Sequence, residues 1–292
     1  MFALNEIALK NYLSLIKFSH TIFALPFALI GFTLAMSQDQ YNFSWHKLLF
    51  VLLCMVFARS AAMAFNRYID RDIDTANPRT AKIREIPNGT IKAKSALIFV
   101  IANCILFIIS SYVLNPLCFY LSPVAIFVVL GYSYTKRFTA LCHLFLGLGL
   151  SLSPIGAYLA VTAQFDILPI LFSCIVLFWV SGFDIIYALQ DESFDKKFNL
   201  HSIPVLFGKK NALIFSRFLH FLTAFIIVYI GLNYFSESKL FWMACFVFIA
   251  LLFNQQRLVK ANDLSKINLA FFTSNGIASV IFGLLIILDL LF

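Results

Sequence analysis

The 292 residues carry 22 Lys and Arg against 14 Asp and Glu, a formal net charge of +8, yet 61% are hydrophobic and 35 are phenylalanine. The mean hydropathy is +0.89. Soluble domains hold roughly 45–50% apolar residues, so this composition excludes a water-soluble fold and indicates an all-α, polytopic membrane protein. Helices rather than a barrel are predicted, because the apolar runs are continuous and lack the alternating polar face of membrane strands.

The first twenty residues, MFALNEIALKNYLSLIKFSH, lack the pattern of a cleavable signal and predict an amphipathic segment at the membrane surface. Nine spans are predicted, over 13–36, 46–67, 94–113, 116–135, 140–162, 167–189, 210–233, 239–257 and 267–291, each closed by a turn or a charged break. With the N-terminus in the cytoplasm, nineteen of the twenty-two Lys and Arg fall in or beside cytoplasmic connections, as the positive-inside rule requires. Only Lys47 and Lys239 fall outside, and Arg59 lies within a span. The net charge therefore reflects topology and implies no nucleic-acid partner. Tyr41 and Trp45 fall at the outer interface, where amphipathic rings gather. Pro26, Pro123, Pro154 and Pro169 predict bends in spans. The six cysteines show no CxxC spacing and predict buried free thiols.

Two connections are long, 67–93 and 190–209, and with the helix ends beside them they hold eight of the fourteen acidic residues: Asp70, Asp72, Asp74, Glu85, Asp184, Asp191, Glu192 and Asp195. Long polar connections in a compact protein are candidate functional sites. Asn66, Asp70 and Asp74 recur at steps of four, as do Asp191 and Asp195. Such a step turns only about 40° around a helix, so each set shares a face. Asp70 to Asp191, Asp74 to Asp195 and Lys136 to Arg257 are all separated by 121 residues, which predicts a duplication with halves near 12–138 and 139–262. A two-fold along the membrane normal would bring the ends of spans two and six together.

Facing carboxylates repel one another unless cations lie between them, and oxygen ligands open to water suit Mg²⁺, which also binds phosphate. Around them stand Arg67, Arg71, Arg79, Arg84, Lys136, Lys196 and Lys197, matching an anion such as a diphosphate. Arg59 lies seven residues before Asn66, on the same face and about 10 Å deeper by the helical rise. A charge at that depth is costly and marks a functional path. Tyr132 and Tyr134 stand where they would steer an aromatic ring or shield a cation. Of the histidines, His20, His46, His143, His201 and His220 show no metal-ligand spacing, and His20 near Lys17 is a candidate for the acceptor pocket.

These residues resemble the intramembrane aromatic prenyltransferases of the UbiA superfamily. The family's first signature, NxxxDxxxD, stands here as Asn66, Asp70 and Asp74 within RSAAMAFNRYIDRDIDTANPRT, continuing to REIPNG. The second acidic segment stands as Asp191 and Asp195 within GFDIIYALQDESFD, followed by HSIPVLFG. The resemblance covers essentially the whole chain. It implies one transmembrane domain over 1–292, with nine helices in two four-helix pseudo-repeats plus a ninth helix and with loops 67–93 and 190–209 capping the site.

By that resemblance Asn66, Asp70, Asp74, Asp191 and Asp195 hold two Mg²⁺ ions against a polyprenyl diphosphate, and Lys136, within YSYTKRFT, touches the diphosphate. Asp70, Asp191, Arg59 and Lys136 are then the catalytic candidates, with Lys17, Arg67, Tyr132, Tyr134 and Tyr187 binding substrate and Asp184 near the second motif. The implied reaction stabilises a leaving diphosphate and traps the allylic cation on a hydroxylated aromatic acid, 4-hydroxybenzoate or a dihydroxynaphthoate, in respiratory quinone biosynthesis. The ring proton passes to a carboxylate, the diphosphate or water. Haem and other aromatic prenylations belong to the same superfamily. From another class, a secondary transporter also carries intramembrane charges and repeats, but its site belongs at the bilayer midplane rather than at helix ends. A bacterial cytoplasmic membrane is the implied location, with the lipid bilayer as partner.

Overall fold

The computed structural model describes residues 10–17, 21 and 23–292. Among them the regular elements are helices, apart from one isolated bridge between Lys260 and Asp263. In chain order these are α1 (Leu25–Met36), α2 (Trp45–Ile69), α3 (Arg71–Ala76), α4 (Ala93–Leu114), α5 (Pro116–Thr135), α6 (Cys142–Thr162), α7 (Ile167–Ala188), α8 (Glu192–Lys197), α9 (Ile203–Tyr234) and α10 (Lys239–Leu258). A π-helical turn, Leu269–Ser274, runs into α11 (Asn275–Leu291).

Eight helices among the described residues are long and apolar enough to cross a membrane: α2, α4 to α7, α9, α10 and the continuous stretch Leu269–Leu291. They coincide with eight of the predicted spans. The stretch 13–36 differs, because a helix over 10–15 ends in a turn where Lys17 adopts a φ of 46°. Among the described residues that follow, the α-helix is the 12 residues of α1, about 18 Å at the helical rise. Pro26 sits in its first turn, where a missing N–H leaves no bond unmade. His20 lies outside the described residues. All six cysteines are free thiols.

Polar caps fix the helix starts. Asn115 accepts from Cys118 N at 2.9 Å and donates to Leu159 O at 2.8 Å, so it begins α5 and ties it to α6. Asp166 starts α7 by accepting from Leu168 N at 3.2 Å. The two long connections are partly helical: α2 runs past 67 to Ile69 before α3, and α8 occupies part of the second. Ser202 caps α9, accepting from Val205 N at 3.3 Å, which starts this helix seven residues before the predicted span at 210. Gly208, at φ 73°, bends α9 there. An L-residue adopts that conformation only with strain.

In lipid, helices gain nothing by hiding apolar surface from other apolar surface, so packing and buried polar bonds hold them together. Trp179, Phe27, Phe172, Phe248 and Phe282 are fully buried, and Trp179 satisfies its indole N–H on Asn275 Oδ1 at 3.1 Å. Ser216 donates to the Gly182 carbonyl at 2.7 Å, and Gln256 to Ser216 Oγ at 2.9 Å, joining α7, α9 and α10. On the other side α2 packs on α4 and α5, while α6 packs on α1, α5 and α7. Between α2 and α6 the chain leaves a hollow.

Candidate active site

The two acidic motifs occupy equivalent local settings. Asp70 follows the last turn of α2 and donates its N–H to the Asn66 carbonyl at 2.9 Å, with Asp74 in α3. Asp191 follows α7, with Asp195 in α8. Both motifs reach a cavity of about 890 Å³ enclosed by α2, α5, α6 and α7. Asn66, Arg67, Asp70, Lys136, Asp191 and Asp195 line its charged mouth. Lys17 and Tyr187 also line it, and Arg59 and Tyr132 lie deeper on its walls. Below them the lining turns apolar as far as Val51. Of the expected site residues, Asp74 and Tyr134 are not among the lining. Asp74 is buried against Arg84, and Tyr134 is 45% exposed, its ring 5.8 Å from that of Phe65.

Each motif carboxylate except Asp195 meets a basic group. Lys136 Nζ lies 3.0 Å from Asp70 Oδ2 and Arg137 Nη2 3.5 Å from Asp70 Oδ1. Arg84 pairs with Asp74. Arg79 grips Asp191 in a fork, Nε to Oδ1 at 3.0 Å and Nη2 to Oδ2 at 2.6 Å, and so joins the first connection to the second motif. Among the described residues no three Asp, Glu, His or Cys side chains cluster closely enough to hold a metal ion in this arrangement. Burial raises the Asp70 carboxyl above its ordinary value despite the attraction of Lys136. Burial likewise pushes Asp195 up to about 6. For Arg79, burial acts to lower the guanidinium, but Asp191 outweighs it and the net shift is upward.

Sequence reasoning missed two features of the site. Arg137, next to Lys136, bridges Asp70 and Asp72 and donates to the Ile69 carbonyl at 2.8 Å. The second is His143, whose Nδ1 lies 2.7 Å from Asp184 Oδ2 on the cavity wall. The separation of 41 positions between these partners carries no periodic signal, so their meeting depends on how α6 packs on α7.

The model of the UbiA prenyltransferase family matches residues 24–276. The 4-hydroxybenzoate octaprenyltransferase of Vibrio vulnificus is 30% identical over 237 residues, 81% of this chain and 82% of the relative. That of Vibrio campbellii is 31% identical over 249 residues, 83% and 85% of the two. The apo structure of a UbiA homologue from Aeropyrum pernix has a TM-score of 0.82 and 30% identity, covering 92% of this chain and 98% of that one. A UbiA homologue from Archaeoglobus fulgidus bound to DMAPP and Mg²⁺ shares the fold, with a TM-score of 0.76 and 20% identity over 96% and 99% of the two chains. Together with the doubled acidic motif at one cavity mouth, these matches replace the transporter alternative: the chain belongs to the UbiA prenyltransferase family and is a membrane-embedded prenyltransferase.

Proposed function

We propose that this protein transfers a polyprenyl group from a polyprenyl diphosphate to the ring of 4-hydroxybenzoate, with Mg²⁺, in respiratory quinone biosynthesis at a bacterial inner membrane. One observation carries this reading: a single cavity joins a mouth lined by both acidic motifs to an apolar shaft. From Asp70 back to Val51 the lining of α2 covers about 28 Å by the helical rise, close to the thickness of a hydrocarbon layer. A water-soluble diphosphate and a lipid-soluble tail each find matching surroundings. The Vibrio relatives' named acceptor supports 4-hydroxybenzoate, and the ligands of the archaeal relative support the donor class and the metal.

The donor set fits Mg²⁺. Asn66, Asp70, Asp74, Asp191 and Asp195 would hold it through oxygen alone, as a hard cation requires. Asp70 Oδ1 is buried without a hydrogen bond, with Arg137 Nη2 no nearer than 3.5 Å, which leaves it a lone pair for a metal ion. The metal, when bound, supplies positive charge to the departing diphosphate.

This chain's residues do the rest. Lys136 and Arg67 bind phosphate oxygens at the mouth, where negative charge builds as the carbon–oxygen bond breaks. Lys17 and Tyr187 flank that mouth. Arg59, with its buried Nε unpartnered, binds the acceptor carboxylate and turns the ring toward the allylic carbon. Tyr132 offers its ring face to the developing cation, and the apolar wall keeps water from it.

The same reading takes residues 13–36 as a ninth span and the chain as one domain of pseudo-repeats, 12–138 and 139–262, with the N-terminus and the capping loops 67–93 and 190–209 cytoplasmic. In support, each motif follows a long span and continues into a six-residue helix with acidic residues in its first turn. To test the activity, purified protein is given one polyprenyl diphosphate with 4-hydroxybenzoate and, in parallel, with dihydroxynaphthoates. Prenylated 4-hydroxybenzoate is the expected product. Prenylated naphthoate instead would move the acceptor, and no prenylated ring from either would overturn the reading.

A further inference from the structure

His143 and Asp184 meet across the α6–α7 contact and line the cavity below its mouth. The Ile203 N–H donates to His143 Nε2 at 3.4 Å, so Nε2 carries a lone pair and the proton sits on Nδ1. Nδ1 therefore donates to Asp184 Oδ2. The His143 side chain is 4% exposed and that of Asp184 23%. Among the described residues Asp184 Oδ1 accepts no hydrogen bond. The packing that creates this pair is specific. Gly147, one turn beyond His143, lies so near α7 that a methyl group there would collide with Ser181 Oγ and the Leu177 carbonyl. Ser181 also donates to the His143 carbonyl at 3.1 Å.

Depth places the pair at the acceptor's level. Asp184, on α7, precedes Asp191 just beyond that helix by seven residues, and Arg59 precedes Asn66 by seven on α2, so each lies roughly 10 Å below its motif. An aromatic acid held by Arg59 would have Asp184 on the cavity wall at its own level. The chemistry needs a base there. As the carbon–oxygen bond to diphosphate breaks and the new carbon–carbon bond forms, the attacked ring carbon keeps its hydrogen. Aromaticity returns when a base takes that proton and the C–H electron pair enters the ring.

Four carboxylates line the cavity among the described residues: Asp70, Asp184, Asp191 and Asp195. Asp70 is held by Lys136 and Asp191 by Arg79, and Asp195 belongs to the mouth. Asp184 alone stands at the depth of Arg59, and among the described residues no Lys or Arg pairs with it, which leaves it free to take a proton. We infer that Asp184 is the catalytic base that takes the ring proton, and that His143 is the positioning residue that aims it. The inference rests on the proposed aromatic acceptor.

Asp184→Asn keeps the size of the side chain and removes the base, so ring prenylation should fall by about 100-fold or more, the usual contribution of a general base. Mg²⁺-dependent binding of the polyprenyl diphosphate should be unchanged. Residual turnover should acquire a kinetic isotope effect with 4-hydroxybenzoate deuterated at the ring, absent in the wild type, because proton removal becomes slow. Asp184→Glu should regain part of the rate. His143→Gln, which can still donate to Asp184, should show a smaller loss with the same isotope signature, and it carries the test if Asp184→Asn fails to bind donor. Wild-type turnover in Asp184→Asn, or an equal loss without an isotope effect, would overturn the role of the base. A wild type that prenylates no ring would instead overturn the proposed function, and this inference with it.

Discussion

Arg79 holds Asp191 in a two-bond fork, so a divalent ion that claims Asp191 must first displace a guanidinium. Both hydrogen bonds of the fork are short, 3.0 and 2.6 Å, and the Arg79 guanidinium lies 5.8 Å from the Tyr187 ring centroid. A bidentate charged pair is strong when dry, but the Arg79 side chain is 38% exposed and that of Asp191 20%. Screening by solvent reduces its worth to about 1 kcal/mol. Removing that competition in Arg79→Ala should tighten Mg²⁺ by about fivefold, since 1.4 kcal/mol is a tenfold change. Arg79→Lys, with a point charge in place of a fork, should fall between the two. Calorimetric titration of Mg²⁺ into detergent-purified protein without donor measures this directly. Unchanged or weaker Mg²⁺ binding in Arg79→Ala would refute the idea that Arg79 occupies a metal-binding carboxylate.

Three other outcomes follow from the same geometry. Arg59→Met should raise the KM for the aromatic acid by roughly 10- to 100-fold, the worth of about 1.5–3 kcal/mol for a charged hydrogen bond, and leave the KM for the donor unchanged in steady-state assays. Asp195, raised by burial from 3.8 to about 6, stabilises the fold below pH 3.8 and loses that contribution as pH rises through 6. Thermal unfolding across this range should show the loss in the wild type and not in Asp195→Asn. Gly147→Ala should lower stability by about 1–3 kcal/mol through overpacking of α6 on α7, read as a lower melting temperature in detergent.

Much of the molecule was legible because lipid imposes a simple rule. Windows of apolar residues long enough to cross it marked eight helices, and the polar breaks between them marked where the motifs lie. The steps of four at Asn66, Asp70 and Asp74 placed two of these at the cavity mouth. Local backbone conformation was less visible. Apolar length alone read 13–36 as one helix, because hydropathy carries no record of the left-handed turn at Lys17. The early start of α9 depends on the Ser202 cap and the bend at Gly208, which a span-length window passes over. Tyr134 illustrates a different gap: it is two residues from Tyr132, a step of about 200° around the helix, so only one of them faces the cavity. His143 and Asp184 lie further from reach still, since their meeting depends on a glycine contact between two helices.

The central claim is that both acidic helix ends act together on one diphosphate. Mg²⁺-dependent release of diphosphate from a polyprenyl diphosphate, measured in membranes for the wild type, Asp70→Asn and Asp191→Asn, tests it most directly. Either substitution alone should abolish release while the protein stays folded. Full release by either variant would contradict it.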